Sequence, residues 1–311
     1  MKKGRIMKKA VLLLLSAGIM LLFAGCGKKA PDENWFKENL PEEIATYTIE
    51  EQSYQSEVTS LEIEKRVTDE EFDTAYCKVV LDDENLSRTL YLILSASYYD
   101  RDWHLFSYQE YQEEEVTPLI GVSESFIMDN LSAYGYTGIS NYREDLSALS
   151  EKRWSADCDV SQEYTYLTLG GSLHFEAELM DHQLGDAFPR SYTWSTGTDA
   201  SGLTKTWKID GNWTGATDSY RLDLGITSNG DGTFTWNGKC WFDTSDGGEE
   251  AYEDGGVVEN GMESEEQLTA VEDMRWNFSF ACGYPSCSLT LAPDGVSMSI
   301  SSDMAEGVQR L

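Results

Sequence analysis

Ala75-Tyr76-Cys77-Lys78-Val79-Val80-Leu81 decides the fold class. Ala75, Cys77, Val79 and Leu81 fall on one side of an extended chain, with Tyr76, Lys78 and Val80 on the other. That period of two is the mark of a half-buried β-strand. Upstream, Leu61 and Ile63 alternate with Glu62 and Glu64, and Glu64 to Asp69 leads into a turn. Downstream, Asp82-Asp83-Glu84-Asn85 makes a polar turn before Leu90-Tyr91-Leu92-Ile93-Leu94, which is apolar on both faces and reads as a central strand. Tyr98 to Asp102 then turns the chain into a fourth strand at Trp103-His104-Leu105-Phe106. Ahead of these strands, Trp35, Phe36, Leu40, Ile44 and Ala45 recur near helical spacing, predicting a helix from about Glu33 to Tyr47 with Pro41 inside it. A helix and a four-stranded meander make an α+β module over residues 33–117, closed by the acidic Gln109 to Glu115 and by Pro118.

Residues 118–210 are expected to repeat that plan. Val122, Phe126, Ile127 and Leu131 follow a short helical pattern, with Ser123 placed to cap it. After a Tyr- and Gly-rich linker, Glu151 to Asp157 echoes Glu64 to Asp69, strands follow at Tyr164–Leu169 and Ser172–Leu179, and Lys205 to Ile209 echoes Asp102 to Leu105. From Gly211 onward the chain reads as hairpins. Leu222, Leu224 and Ile226 alternate, Asp231-Gly232 and Asp294-Gly295 are turn signals, and Asp243 to Gly256 reads as a loop. Trp276, Phe278 and Phe280 form a strand, as do Val296, Met298 and Ile300. The fold class is α+β, predominantly β: tandem helix-plus-antiparallel-sheet modules over 33–117 and 118–210, then an all-β meander or barrel-like region over 211–311. The tandem plan is similar to the cystatin-like or nuclear-transport-factor-like modules of Gram-positive surface lipoproteins, a resemblance of pattern that names no function.

The first residues carry a different kind of information. Lys2, Lys3, Arg5, Lys8 and Lys9 form a basic start, Ala10 to Ala24 is nearly all apolar, and Leu22-Phe23-Ala24-Gly25-Cys26 ends the run in small residues and one cysteine. This order reads as a secretory signal over residues 1–25 rather than a membrane span, which needs roughly 20 apolar residues. Its end resembles the lipobox of bacterial lipoproteins. The resemblance implies cleavage between Gly25 and Cys26 and a diacylglycerol on the Cys26 sulfur. It also implies a membrane partner held through that lipid, on the outer face of a bacterial, Gram-positive cell membrane. Residues 26–32 would then be a short tether.

Loss of residues 1–25 removes five basic residues and no acid, leaving 18 Lys and Arg against 55 Asp and Glu, a formal charge of −37. Nucleic-acid binding needs a positive footprint, so that class is excluded. Five cysteines remain besides Cys26, an odd number that leaves at least one free thiol. Cys282 and Cys287 are the local pair that spacing offers for a disulfide; alternatively, Cys282 continues the apolar set of Trp276, Phe278 and Phe280 as a core residue.

The sequence offers few sites for chemistry. His174, Glu176 and Glu178 share one strand face, with Asp181 and His182 just beyond, and His174, Glu176 and His182 are donors of the type that zinc takes. The same alternation also arises on any solvated strand face. No Gly-x-Ser-x-Gly elbow or phosphate loop occurs. Asp243, Asp246, Glu249, Glu250, Glu253 and Asp254 lack calcium-loop spacing. Trp194, Trp213 and Trp241 are aromatic candidates for stacking on a sugar or peptide. The sequence therefore favours a lipid-anchored, extracytoplasmic binding or scaffold protein without enzymatic activity or a cofactor, its ligand an envelope or extracellular molecule. The alternatives are an envelope hydrolase acting through acidic residues and a metal-capture lipoprotein.

Overall fold

The computed structural model describes residues 29–49, 51–182, 190–244, 247–259 and 262–311. The signal, Gly25 and Cys26 lie outside the described residues. In chain order, α1 (Glu33–Glu38), α2 (Glu42–Ala45), β1 (Thr46–Ile49) and β2 (Gln52–Gln55) lead into β3 (Glu57–Thr68), β4 (Phe72–Asp82), β5 (Leu86–Tyr99) and β6 (Asp102–Pro118). Next come α3 (Glu124–Ala133), β7 (Ile139–Asp145), β8 (Arg153–Glu163), β9 (Leu167–His182), β10 (Arg190–Asp199) and β11 (Leu203–Trp207). The C-terminal part holds β12 (Gly211–Ala216), β13 (Tyr220–Ser228), β14 (Thr233–Asp243), β15 (Glu249–Glu259), β16 (Met262–Glu265), β17 (Trp276–Ala281), β18 (Ser286–Ala292), β19 (Gly295–Ile300), β20 (Asp303–Met304) and β21 (Glu306–Arg310). The class is α+β and predominantly β. The described residues divide into two compact units, one of 29–41, 58–81 and 89–115, the other of 42–57, 82–88 and 116–311.

In the first unit β3, β4, β5 and β6 lie side by side in chain order. The alternation of β4 is realised, with Ala75, Cys77, Val79 and Leu81 all fully buried. Asp69 shapes the turn before it, its Oδ1 accepting from the backbone N–H of Glu71 at 2.8 Å and of Phe72 at 2.7 Å. Asp73 sits on the buried face as well, and its charge is answered there. Arg66 donates to Asp73 through Nε at 2.8 Å and Nη2 at 2.7 Å, and the Thr68 hydroxyl donates to the same carboxylate. A two-point guanidinium–carboxylate contact is the arrangement that makes a buried charge tolerable.

The expected helix over 33–47 is shorter and broken. Asp32 caps α1 by accepting from Trp35 N–H at 3.1 Å, and Phe36 is buried, but α1 ends at Glu38. Pro41 lacks an N–H and disfavours a helical Leu40, so α2 starts afresh at Glu42. Thr46-Tyr47-Thr48-Ile49 is strand, as its β-branched and aromatic content favours. The acidic stretch before Pro118 is likewise strand, the end of β6, with Pro118 at a terminus where a lost N–H costs little.

The second unit contains an eight-stranded sheet, ordered β16-β11-β9-β10-β1-β2, with β8 on the other side of β9 and β7 beyond it. Ser123 caps α3, accepting from Phe126 N–H at 3.2 Å, and Val122, Ile127 and Leu131 join one core with Trp154, Ala156, Cys158, Leu173, Phe175 and Ala177 of β8 and β9. Three expectations are corrected here. The Tyr- and Gly-rich linker contains β7, and Tyr164–Leu169 and Ser172–Leu179 contribute to one strand, β9. The two echoes occupy opposite strand ends: Glu64 to Asp69 closes β3 whereas Glu151 to Asp157 opens β8, and Asp102 opens β6 whereas Trp207 closes β11. Along β9 the partner changes, from β11 at Leu167–Gly171 to β10 at His174–His182. Gly171 allows that switch. Its φ is +121°, and a Cβ there would meet the Gly202 carbonyl oxygen at 2.1 Å.

Apart from β16, which joins the eight-stranded sheet, the strands of residues 211–311 form two antiparallel sheets, ordered β15-β14-β13-β12-β21 and β17-β18-β19-β20. Their apolar faces meet, with Trp236 of β14 4.7 Å from Phe280 and 5.4 Å from Phe278 of β17, ring centre to ring centre. Asp243 to Gly256, expected as a loop, is mostly strand: β15 begins at Glu249 and pairs with β14 along its whole length. As an edge strand, it needs side-chain burial on only part of one face, so its acidic residues are tolerated.

Candidate functional site

β8, β9 and β10 lie side by side, and their register sets three rungs of side chains on the face turned away from α3. Asp157, His174 and Asp199 form one; Ser155, Glu176 and Gly197 the next; Arg153, Glu178 and Ser195 the third. Because β-strand side chains alternate, packing Trp154, Ala156, Phe175 and Ala177 inward forces all nine outward. Tall and short side chains are mixed. Arg153, Glu176, Glu178 and Met180 stand around the short Ser155, Ser195 and Gly197, leaving a groove of about 360 Å³. Gly197 matters to that opening, since a Cβ placed there meets only the Glu176 carbonyl oxygen, at 4.0 Å. The volume is at the low end of small-molecule sites.

His174 forms one end of this face. Its Nδ1 lies 2.7 Å from Asp157 Oδ1 and its Nε2 lies 3.4 Å from Glu176 Oε1. The hydrogen bond to Asp157 raises the His174 pKa above its ordinary value, burial opposes the rise, and Glu176 adds to it. A carboxylate beside each ring nitrogen favours the doubly protonated ring, a cation that donates from both sides. Arg153, at the opposite end, donates to Glu151. The face therefore sets a guanidinium at one end and, at the other, an imidazole whose protonated form is favoured, with carboxylates between and beside them.

Of the sequence candidates, His174 and Glu176 come together and His182 does not. His182 is eight residues further along the same strand, which at about 3.3 Å per residue places it roughly 26 Å away. The two imidazoles therefore cannot share one ion. Among the described residues no group of three or more His, Cys, Asp or Glu is arranged to hold a metal. Cys282 and Cys287 are both buried and are not bonded to each other. Trp213 is fully buried, Trp194 is half-buried against the core, and Trp241 lies under Arg221, whose guanidinium carbon is 4.0 Å from the ring centre, and Lys239, at 5.3 Å. Within the acidic stretch, Glu253 is paired with Lys239 at 2.6 Å and Glu249 with Arg221 at 4.0 Å, while Asp246 lies outside the described residues.

Asp157, Arg153, Ser155, Ser195 and Asp199 are site residues that sequence reasoning missed. The signal for the first three was present: Trp154, Ala156, Cys158 and Val160 alternate with Arg153, Ser155, Asp157 and Asp159, a clean period of two. No family model matches the chain, and no curated protein or solved structure matches it either.

Proposed function

We propose that the protein is a lipid-anchored, extracytoplasmic binding protein whose ligand site is the groove on the outer face of β8, β9 and β10. One observation carries the choice of binding over catalysis. Both ring nitrogens of His174 face carboxylates, Asp157 at 2.7 Å and Glu176 at 3.4 Å. A catalytic histidine acting as a base needs one nitrogen unprotonated and aimed at a nucleophile or water. Acids beside both nitrogens instead raise the His174 pKa and favour a ring that donates from both sides. The ligand that matches the groove is small and polar, meeting carboxylates at Glu176 and Glu178 and a guanidinium at Arg153.

The anchor rests on the basic start, the apolar run and Ala24-Gly25-Cys26. The body's charge of −37 is repelled by anionic headgroups, so attachment falls to the lipid. Two experiments test these parts separately. Replacing Cys26 by alanine should abolish the lipid mass and release the protein from membranes; tight association without lipid would contradict the anchor. A thermal-shift screen of amino acids, amines and short glycans should yield a ligand that stabilises the native chain but not a Glu176→Gln, Glu178→Gln variant. Stabilisation unchanged in that variant would place the site elsewhere.

A further inference from the structure

We infer that Cys240 and Cys282 are the partners of a disulfide joining the two sheets of the C-terminal part, formed as the chain folds in the presence of a disulfide oxidant. Sequence proximity points from Cys282 to Cys287, but the structure turns the Cys282 side chain toward the other sheet. Its sulfur donates to the Tyr252 carbonyl at 3.3 Å, and Tyr252 of β15 is the register partner of Cys240 of β14. A Cβ placed on Gly238, two residues before Cys240 and on the same face, would lie 3.7 Å from the Cys282 sulfur. The Cys282 sulfur is thus seated against the stretch of β14 that carries Cys240. Cys287 turns instead to the carbonyl of Pro285, in its own hairpin, at 3.8 Å.

Burial supports this pairing and sets its timing. Cys240 and Cys282 are fully buried and Cys287 nearly so. Burial pushes the Cys240 thiol up to about 11, with a charge on Cys282 adding to the rise, and the Cys287 thiol up to about 12, with charges on Cys240 and then Cys282 adding, so the choice of partner rests on where the Cys282 sulfur is seated. The folded chain therefore holds almost no thiolate, the form that attacks a disulfide. The bond belongs to folding, before the sheets close. One cysteine thiolate attacks the oxidant's S–S bond and expels one of its thiols; the second thiolate then attacks the mixed disulfide and expels the other. Two protein thiols become one disulfide, the two protons given up as the attacking thiolates form are taken up by the two departing thiolates, and the oxidant is reduced to two thiols.

The test is to unfold the full chain in denaturant, refold it with oxidised and reduced glutathione, alkylate the remaining thiols and map the peptides by mass. The expected product links Cys240 to Cys282 and leaves Cys287 alkylated. Reducing that product should lower its melting midpoint by on the order of 10 °C, from the loop of some 40 residues that the bond closes. Cys287→Ala should keep the link. A Cys282–Cys287 or Cys240–Cys287 link in the native chain, or full alkylation of Cys240 and Cys282, would overturn the assignment. Cys287→Ala tells apart a lost partner and a failed fold: a cooperative melt with both Cys240 and Cys282 alkylated also overturns it.

Discussion

The first sheet and the β8–β10 face each set a carboxylate against a cation, and the two pairs have different consequences. In the first unit, Asp73 is fully buried and held by Arg66 and Thr68. On β8 and β9, Asp157 and His174 are about half exposed, at 50% and 40% of their side-chain surface. The first pair is sealed by its surroundings and locks β3 to β4. The second remains open to water and to any ligand in the adjoining groove. Burial, more than residue type, separates a charge that serves the fold from a charge available for recognition.

The largest expected effect comes from breaking the sealed pair. Asp73→Ala leaves the Arg66 guanidinium without its two-point partner and should destabilise the protein by about 3 kcal/mol, read from urea unfolding. A loss below about 1 kcal/mol would put Asp73 in the same class as the exposed acids. Gly171→Ala should come next, at roughly 1–3 kcal/mol, because its φ of +121° and the Gly202 oxygen both exclude a side chain. The loss should appear in the same unfolding measurement, and a neutral result would show that β9 can change partners without that glycine.

On the open face the effects should be small. His174 has a raised folded pKa, so the stability it adds is fully present below its unfolded value of about 6.5 and is lost as pH rises through the folded value. With both partners half exposed, the gain should be under about 1 kcal/mol. Comparing the native chain with His174→Ala across pH 5 to 9 should show the difference shrinking as pH rises; a difference that grows would reverse the assignment. Smallest of all should be Arg221→Ala, which removes an exposed contact with Trp241 worth about 0.5 kcal/mol.

The same contrast explains what the sequence disclosed. β4 was legible because four consecutive odd positions are apolar and buried, and α3 because Ser123 and the spacing of Ile127 and Leu131 agree. β15 was not, because an edge strand of Glu, Asp and Gly has no apolar period and depends on β14 for its hydrogen bonds. Half of the site was visible in the same way. His174 and Glu176 stand on one strand, where alternation shows a shared face. Asp157 and Asp199 reach His174 only through pairing across strands, which is a property of the register.

The most direct test of the binding reading is the protonation of His174, followed by nitrogen-15 chemical shifts of its imidazole from pH 5 to 9. The expected pKa lies above 6.5, with both ring nitrogens protonated below it, and falls toward 6.5 in Asp157→Asn. A pKa at or below 6.5 that does not move in Asp157→Asn would contradict the binding reading, showing that the acids beside the ring do not hold its proton.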